Sequence, residues 1–496
     1  TDAEFVKLVV NKLKTQSIIV KPDGIRVDLY KALPDKLDDF KSYFIDANND
    51  VKNMNLFKRR ILGLSSYFRD MNSLMPKYDK SRNFHIVRIP MSDYQLGVYE
   101  SARKNERKLE KNNAKKKKKK VSDDDTVSTY RIFSRSFCNF VFPQEIERPL
   151  PGNAKDIEAA ILNEKTDEDD LDGLSSEEKL NNTEGSYDAD DVDVSENNDK
   201  VKNHNQKIIK ALERLDANKA EFFSKESLKT YSPKFLNILE NIQDQDYQGL
   251  HLIYSQFRTL EGIGIMKLMF EANGFAQFKI SQKGGVWKVD ISEEDRGKRM
   301  FALYTGTESR EEKEIIRNVF NGTWKYIPSS IESELNEIST NNLNGEIIKF
   351  VMITASGAEG ISLKNVRYVH ITEPYWHPVR IQQVIGRARR ICSHQDLDEN
   401  LRTVDVFLYL MTLSEEQVKS DQILELRKQD KSKLDNKTLI TSDEALYEIA
   451  SLKEEVTNKI LHAVKEASID CTLHSKSDDN EQLKCFTFGS NDPSKY

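Results

Sequence analysis

The chain has 496 residues, of which 38% are hydrophobic and 31% charged, with a formal net charge of −6. That length allows two or three domains, and the large charged share predicts that part of the chain stays outside any core. The sequence shows no signal peptide and no apolar run long enough to cross a membrane.

Residues 1–110 predict a mainly helical region. Phe5-Val6, Leu8-Val9-Val10 and Leu13 give an amphipathic start, and Ser17–Lys21 a short extended run. Phe57–Arg69 (FKRRILGLSSYFR) is basic and aromatic; it suits contact with nucleic acid and equally a packed helix end with snorkelling cations. Residues 85–110 predict a strand, a turn and a long charged helix capped by Ser92. Residues 111–128 form a low-complexity insertion holding the run Lys115–Lys120, read either as a solvated loop or as a nuclear-localisation or nucleic-acid patch. The acidic stretch 151–205 has few aromatics and is expected to be disordered or loosely helical, with no chemistry; exclusion of nucleic acid and partner binding are the alternatives. Residues 206–248 return to helical periodicity. Strands and helices then alternate over 249–415, which predicts a parallel sheet with helices on both faces. Residues 281–297 and 323–345 are expected to be inserted loops, and 416–496 a charged helical tail. The four cysteines, Cys138, Cys392, Cys471 and Cys485, show no C-x-x-C pairing. That argues against a zinc site and a disulfide framework and for an intracellular, reducing compartment. The chain starts at Thr1 rather than Met, so it is expected to be part of a longer protein.

The stretch Lys349–His394 organises the rest. Phe350–Thr354 and Tyr368–Thr372 predict buried strands. Between them lies the glycine-bearing turn Ser356–Gly360, and after them a helix opened by Pro378. Along that helix Gln383, Gly386, Arg387 and Arg390 fall at i, i+3, i+4 and i+7 and so share one face. Ile381, Val384, Ile385, Ala388 and Ile391 are expected on the buried face. Two arginines one turn apart present planar donor forks that match phosphate oxygens. A merely solvated basic face is the plainer reading. Upstream, Thr305-Gly306 marks a turn before a helix carrying Arg310, where backbone N–H groups can hold a phosphate.

QVIGRARR (383–390) resembles the QxxGRxxR motif of superfamily 2 helicases, and ASGAEGISL (355–363) resembles the motif that precedes it. EPYWHPVRIQQ and RARRI are closest to the Swi/Snf-like branch. LIYSQF (252–257) resembles the opening of that branch's second lobe, YSPKFLNILENI (231–242) its entry helix, and MSDYQLGVY with FCNFVFP (137–143) the elements bracing the two lobes. In the latter Phe140 stands where the family has histidine. KEASIDCTLH (465–474) resembles the tail of poxvirus-type transcription ATPases, the early transcription factor small subunit and nucleoside triphosphatase I among them. The resemblance covers about 50–475.

It implies a RecA-like helicase C-terminal domain at 249–415, following the end of a first lobe and an interlobe helical region (1–110), a brace (129–150) and a helical entry (206–248). It implies the C-terminal half of an ATP-dependent DNA translocase of a large DNA virus. Arg387 and Arg390 would act as arginine fingers. Gln383, Gly386, Glu359 and Gly360 would bind nucleotide. Ser255, Gln256, Thr305, Gly306, Thr354 and Ser356 would hold the nucleic-acid backbone, with duplex DNA favoured over RNA. ATP and Mg²⁺ would be held mainly by a first lobe, because no G-x-x-x-x-G-K-[ST] is present and Gly284-Gly285-Val286-Trp287-Lys288 has the wrong spacing. The chain alone is therefore expected to be inactive. A viral RNA polymerase or transcription factor subunit is a further implied partner, in a viral factory, a virion or, for a non-viral protein, the nucleus. The alternative class is a non-catalytic DNA- or polymerase-binding assembly module.

Overall fold

The computed structural model describes all residues except 1, 22–23, 26–30, 47, 68–73, 118–130, 149–194, 306–308, 355–360, 421–422, 475–482 and 488–496. The readings placed on Gly306, Ser356, Glu359, Gly360 and Lys118–Lys120 therefore lie outside the described residues. The chain divides into two compact units, one of residues 1–69 with 455–496 and one of residues 70–454. The expected region 1–110 and the expected tail 416–496 are each split by that division, because packing partners and not sequence neighbours define a unit.

In the smaller unit the helices Leu37–Phe44 and Met54–Ile61 bury Phe44, Phe57 and Ile61 against Ala463 and Ala467. Phe57 thus takes the packed-helix reading. Cys471 and Cys485 are joined in a disulfide, with Cα atoms 5.6 Å apart, which corrects the expectation of none. Their separation matches no motif. They meet because residues around Phe486 fold back, its N–H donating to the Glu466 carbonyl at 2.8 Å.

The larger unit is built on a seven-stranded sheet in which every pairing is parallel. Its members are β1 (Phe84–Pro90), β2 (Leu250–Tyr254), β3 (Phe275–Gln277), β6 (Arg299–Tyr304), β7 (Ile348–Ile353), β8 (Val366–Ile371) and β9 (Asp405–Thr412), in the order β1-β9-β8-β2-β7-β6-β3. The central strands read as unbroken apolar runs because helices cover both faces, with one apolar cluster on each face. The sheet is the RecA-like lobe expected over 249–415, extended by β1, which joins from before the acidic stretch. Pro90 ends β1 at the sheet's edge, where a missing N–H is tolerated.

The two segments expected as loops are ordered. β4 (Ile280–Lys283) and β5 (Val286–Val289) form an antiparallel hairpin. Its turn is Gly284-Gly285, with φ of 61° and 81°, the conformation that two-residue hairpins require. The helix Ser329–Asn336 packs on it, Ser330 Oγ donating to the Trp287 carbonyl at 2.7 Å. Residues 195–205, expected to be disordered, belong to the helix Ser195–Ala217. The charged helix Asp93–Lys117 runs on through the first lysines of the run, and the Gln95 N–H donates to Ser92 Oγ at its start.

A chain of buried hydrogen bonds crosses three strands. His251 Nε2 donates to the Tyr247 carbonyl (3.1 Å), so its Nδ1 accepts from His370 Nε2 (2.9 Å). His370 Nδ1 then accepts from the Tyr409 hydroxyl (2.8 Å), which accepts from Asn241 (2.8 Å). Both rings are neutral, because burial lowers their affinity for protons: His370 is pushed down to about 3 and His251 well below its ordinary value. His394, bonded to the Val366 carbonyl, is pushed down to about 4. In the unfolded chain all three titrate near ~6.5. Below that pH the unfolded state binds more protons, so their contribution is complete above 6.5 and is lost as pH falls from there toward 3–4, by up to about 1.4 kcal/mol per pH unit for each histidine. Glu373 and Glu444, pushed up by burial, work in the opposite sense. We expect the urea midpoint of this unit, followed by tryptophan fluorescence, to fall steeply between pH 6.5 and 5; a flat profile would remove the neutral-histidine assignment.

Candidate nucleotide and nucleic-acid site

Open parallel sheets bind ligands beyond the carboxyl ends of their strands. At that edge Thr305, Thr354, Ser255 and Thr372 follow the neighbouring strands β6, β7, β2 and β8 in one row. Thr354 Oγ1 donates to the Thr305 carbonyl (3.4 Å), Ser255 N–H to the Ile353 carbonyl (3.2 Å) and Thr372 N–H to the Tyr254 carbonyl (3.0 Å). The structure thus brings Ser255, Thr305 and Thr354 together, and all three are buried. Thr372, which sequence reasoning passed over, completes the row. Its hydroxyl is buried without a hydrogen-bond partner among the described residues.

Ser255 and Gln256 are tied to Glu373, the residue two past β8. Ser255 Oγ donates to Glu373 Oε1 (2.5 Å) and Gln256 N–H to Oε2 (3.1 Å). Asn139 Nδ2 adds a third donor at 2.6 Å. Glu373 is buried, and that burial pushes its carboxyl up while these donors and Lys234 pull it back. The network continues from Asn139 Oδ1 to Lys234 Nζ (2.9 Å) and on to Asp443 (2.7 Å), which also accepts from Met411 N–H. Gln256 Nε2 donates to the Pro374 carbonyl (3.2 Å), and its Oε1 accepts from Arg135. Asn139 closes the helix Ile132–Asn139, so the brace segment FCNFVFP is hydrogen-bonded directly to the strand ends that carry the site. Phe140, in the place of a family histidine, stacks at 5.6 Å on Phe223 in an aromatic core. Its ring makes a polar partner unnecessary there. Lys234, Asn139 and Glu373 lay within motifs already recognised, but pairings 95 or more residues apart leave no local signal.

The helix Pro378–Ala388 has Pro in its first turn and His377 as N-cap, accepting from Val379 N–H. Ile381, Val384, Ile385 and Ala388 are buried as expected, while Gln383 is exposed and Gly386 and Arg387 are half-buried. The helix ends at Ala388, and Arg389 has φ −105° and ψ 90°. Arg390 and Ile391 therefore lie past it. Arg390 does not continue the helical face, and Ile391 is 57% exposed instead of buried. Both expectations are corrected because the 3.6-residue period stops where the backbone turns out. Arg390 nevertheless stays beside the residues that the Arg387 backbone also contacts. Its Nη2 donates to the Ile361 carbonyl (3.0 Å), and the Arg387 carbonyl accepts from Leu363 N–H (3.3 Å). Asn321, at the end of the helix Arg310–Phe320, donates to the Ser362 carbonyl (3.0 Å) and accepts from Lys364 N–H (2.8 Å). Three separate elements thus hold the residues that leave the glycine-bearing turn.

Among the described residues, Gly386 has nothing within 4 Å of where a Cβ would stand. A helical glycine costs about 1 kcal/mol against alanine, and no neighbour among the described residues requires it. Gly386→Ala is expected to raise stability by ~0.5–1 kcal/mol, read as a higher urea midpoint. A lower midpoint would mean a packing role that the structure lacks.

Among the described residues no group of three or more His, Cys, Asp or Glu side chains could hold a metal ion, and no helix is long and apolar enough to cross a membrane.

Residues 286–392 match the Helicase conserved C-terminal domain. A protein of Acanthamoeba polyphaga mimivirus described as a putative ATP-dependent RNA helicase is 28% identical over 91% of this chain and 52% of its own length. A termination factor NPH-I homolog of African swine fever virus is 28% identical over 50% of this chain and 34% of its own length. A protein of Invertebrate iridescent virus 3 described as a putative helicase is 25% identical over 50% of this chain and 21% of its own length. The chain thus carries a helicase C-terminal domain related to helicases and NPH-I termination factor homologues of large DNA viruses, and it spans about half the length, or less, of these relatives.

Proposed function

We propose that this chain is the second half of a two-lobe, ATP-driven nucleic-acid motor serving viral transcription. The observation that carries the reading is that the Arg390 guanidinium and the Arg387 backbone carbonyl both bind the residues that follow the glycine-bearing motif, at the carboxyl edge of a RecA-like sheet. Two permanently charged guanidinium groups there can stabilise charge developing on a transferred phosphoryl group. Gln383, exposed on the preceding turn, orients nucleotide or water, and Gly386 leaves room for its close approach. Glu359 and Gly360 bind nucleotide with them. An upstream lobe supplies the phosphate loop, and Mg²⁺ held there neutralises phosphate charge. The nucleic-acid backbone is held by Gln256, Thr305, Gly306, Thr354 and Ser356. Ser255 acts through Glu373, keeping the end of β2 in register with the brace. Duplex DNA is the favoured track on the Swi/Snf-like motifs, and the words "RNA helicase" in the mimivirus relative's description make RNA the comparison to include.

The test is nucleic-acid-stimulated ATP hydrolysis by this chain alone and joined to the coding sequence directly upstream. Activity only in the joined protein, stimulated by duplex DNA more than by RNA, is the expected result. Nucleic-acid binding without hydrolysis in either form would favour the assembly-module reading.

A further inference from the structure

Arg135 lies on the helix Ile132–Asn139, one turn before Asn139 and on the same face. It is 2% exposed. Its Nη2 donates to Gln256 Oε1, and its guanidinium lies over the Phe257 ring, 5.7 Å from the centroid. Its Nε is buried without a hydrogen-bond partner, and Nη1 has none either but is not enclosed. No carboxylate pairs with Arg135 among the described residues, whereas the buried Arg103, Arg107 and Arg131 all converge on Asp430. The acids nearest to Arg135 in the network are committed elsewhere. Glu261 accepts from Arg148 Nη2 at 2.9 Å, and Asp443 pairs with Lys234. Glu373 accepts from Ser255, Asn139 and the Gln256 N–H, so it reaches Arg135 only through Gln256.

An arginine cannot shed its charge, and a buried charge without a partner is strongly destabilising. The partner missing here is an anion that arrives from outside. Its class follows from the place. Arg135 is bonded to Gln256, which follows Ser255 at the carboxyl edge of the sheet, beside Thr354 and Thr305. The Gln256 amide is itself occupied at both ends, by Arg135 and by the Pro374 carbonyl at 3.2 Å. Arg135 is thus the charge that this corner offers. We propose that Arg135 binds a backbone phosphate of the nucleic acid, a contact that rests on the track proposed above. The brace then has a ligand-binding role besides its structural one. Gln256 and Phe257 hold the guanidinium in place, and Nη1 is the donor left for a phosphate oxygen.

Fluorescence anisotropy of a labelled duplex DNA with the full chain, over a series of salt concentrations, tests this. Arg135→Gln is expected to weaken binding about ten-fold at low salt. It is also expected to lower the slope of log affinity against log salt by about one, the counterion release of a single phosphate contact. Arg135→Lys keeps the charge and is expected to keep the slope. The urea midpoint of Arg135→Gln is expected to stay level or rise, because the charge removed has no partner in the free protein. A structural role predicts the reverse, a lower midpoint with the slope intact. If the native chain binds the duplex and Arg135→Gln leaves the slope unchanged, or Arg135→Lys loses it equally, the assignment of Arg135 is overturned and the track stands. A native chain that binds neither duplex DNA nor RNA at any salt concentration would overturn the track, and this contact with it.

Discussion

Arg387→Ala and Arg390→Ala, each placed in a protein carrying this chain and a phosphate-binding lobe, are expected to lower nucleic-acid-stimulated kcat for ATP by ~10³-fold or more, the scale on which such fingers act in phosphoryl transfer. The two are not equivalent. Arg387 lies in the last turn of the helix Pro378–Ala388 and is half-buried, so its loss is expected to act on kcat through the missing charge. Arg390 also donates to the Ile361 carbonyl, so its loss frees the residues that leave the glycine turn. Arg390→Ala is therefore expected to weaken the coupling between nucleic acid and hydrolysis as well as kcat. Arg390→Lys keeps a positive charge but not the fork, and is expected to recover little. Full DNA-stimulated turnover by Arg390→Ala would end the finger assignment. A fall in kcat matched by an equal fall in urea midpoint would make the role structural.

Lys234→Met is expected to destabilise the larger unit by about 3–5 kcal/mol, the usual cost of removing one partner of a buried ion pair. Lys234 and Asp443 are both fully buried, 2.7 Å apart. Methionine fills a similar volume, so the loss is electrostatic rather than steric. Asp443 would keep only neutral partners, Met411 N–H and the Cys138 thiol, and Asn139 would lose the donor on its Oδ1. Because Asn139 also holds Glu373, the disturbance runs to Ser255 and the strand ends that carry the site. The double variant Lys234→Met/Asp443→Asn is expected to regain more than half of the loss, since no charge is then left unpaired. All three tryptophans, Trp287, Trp324 and Trp376, lie in this unit, so urea unfolding followed by their fluorescence isolates it. A single-variant loss below about 1 kcal/mol would mean that Asp443 finds another partner, and the brace would not depend on the pair.

The sheet and the site motif were legible because both are written locally. Apolar runs of five or six residues bounded by turn formers mark β2, β7, β8 and β9, and Pro378 marks where the helix opens. Short-range periodicity also put Ile381, Val384, Ile385 and Ala388 against the sheet. The same logic overreached by half a turn, because nothing in RARRI announces that the backbone leaves the helix at Arg389. The Gly-Gly pair at 284–285, set between alternating residues, was a hairpin signal that a search for a phosphate loop passed over.

Other features are long-range and have no local trace. β1 joins the sheet from more than three hundred residues before its partner β9. Asn139, Lys234, Glu373 and Asp443 meet through pairings that only the folded chain creates. Cys471 meets Cys485 because one segment folds back. Periodicity records what a residue faces, and these groups were chosen by what they touch. A buried charge tolerates its position only when a partner arrives from elsewhere in the chain, so the sequence names the strands while the tertiary structure selects the partners.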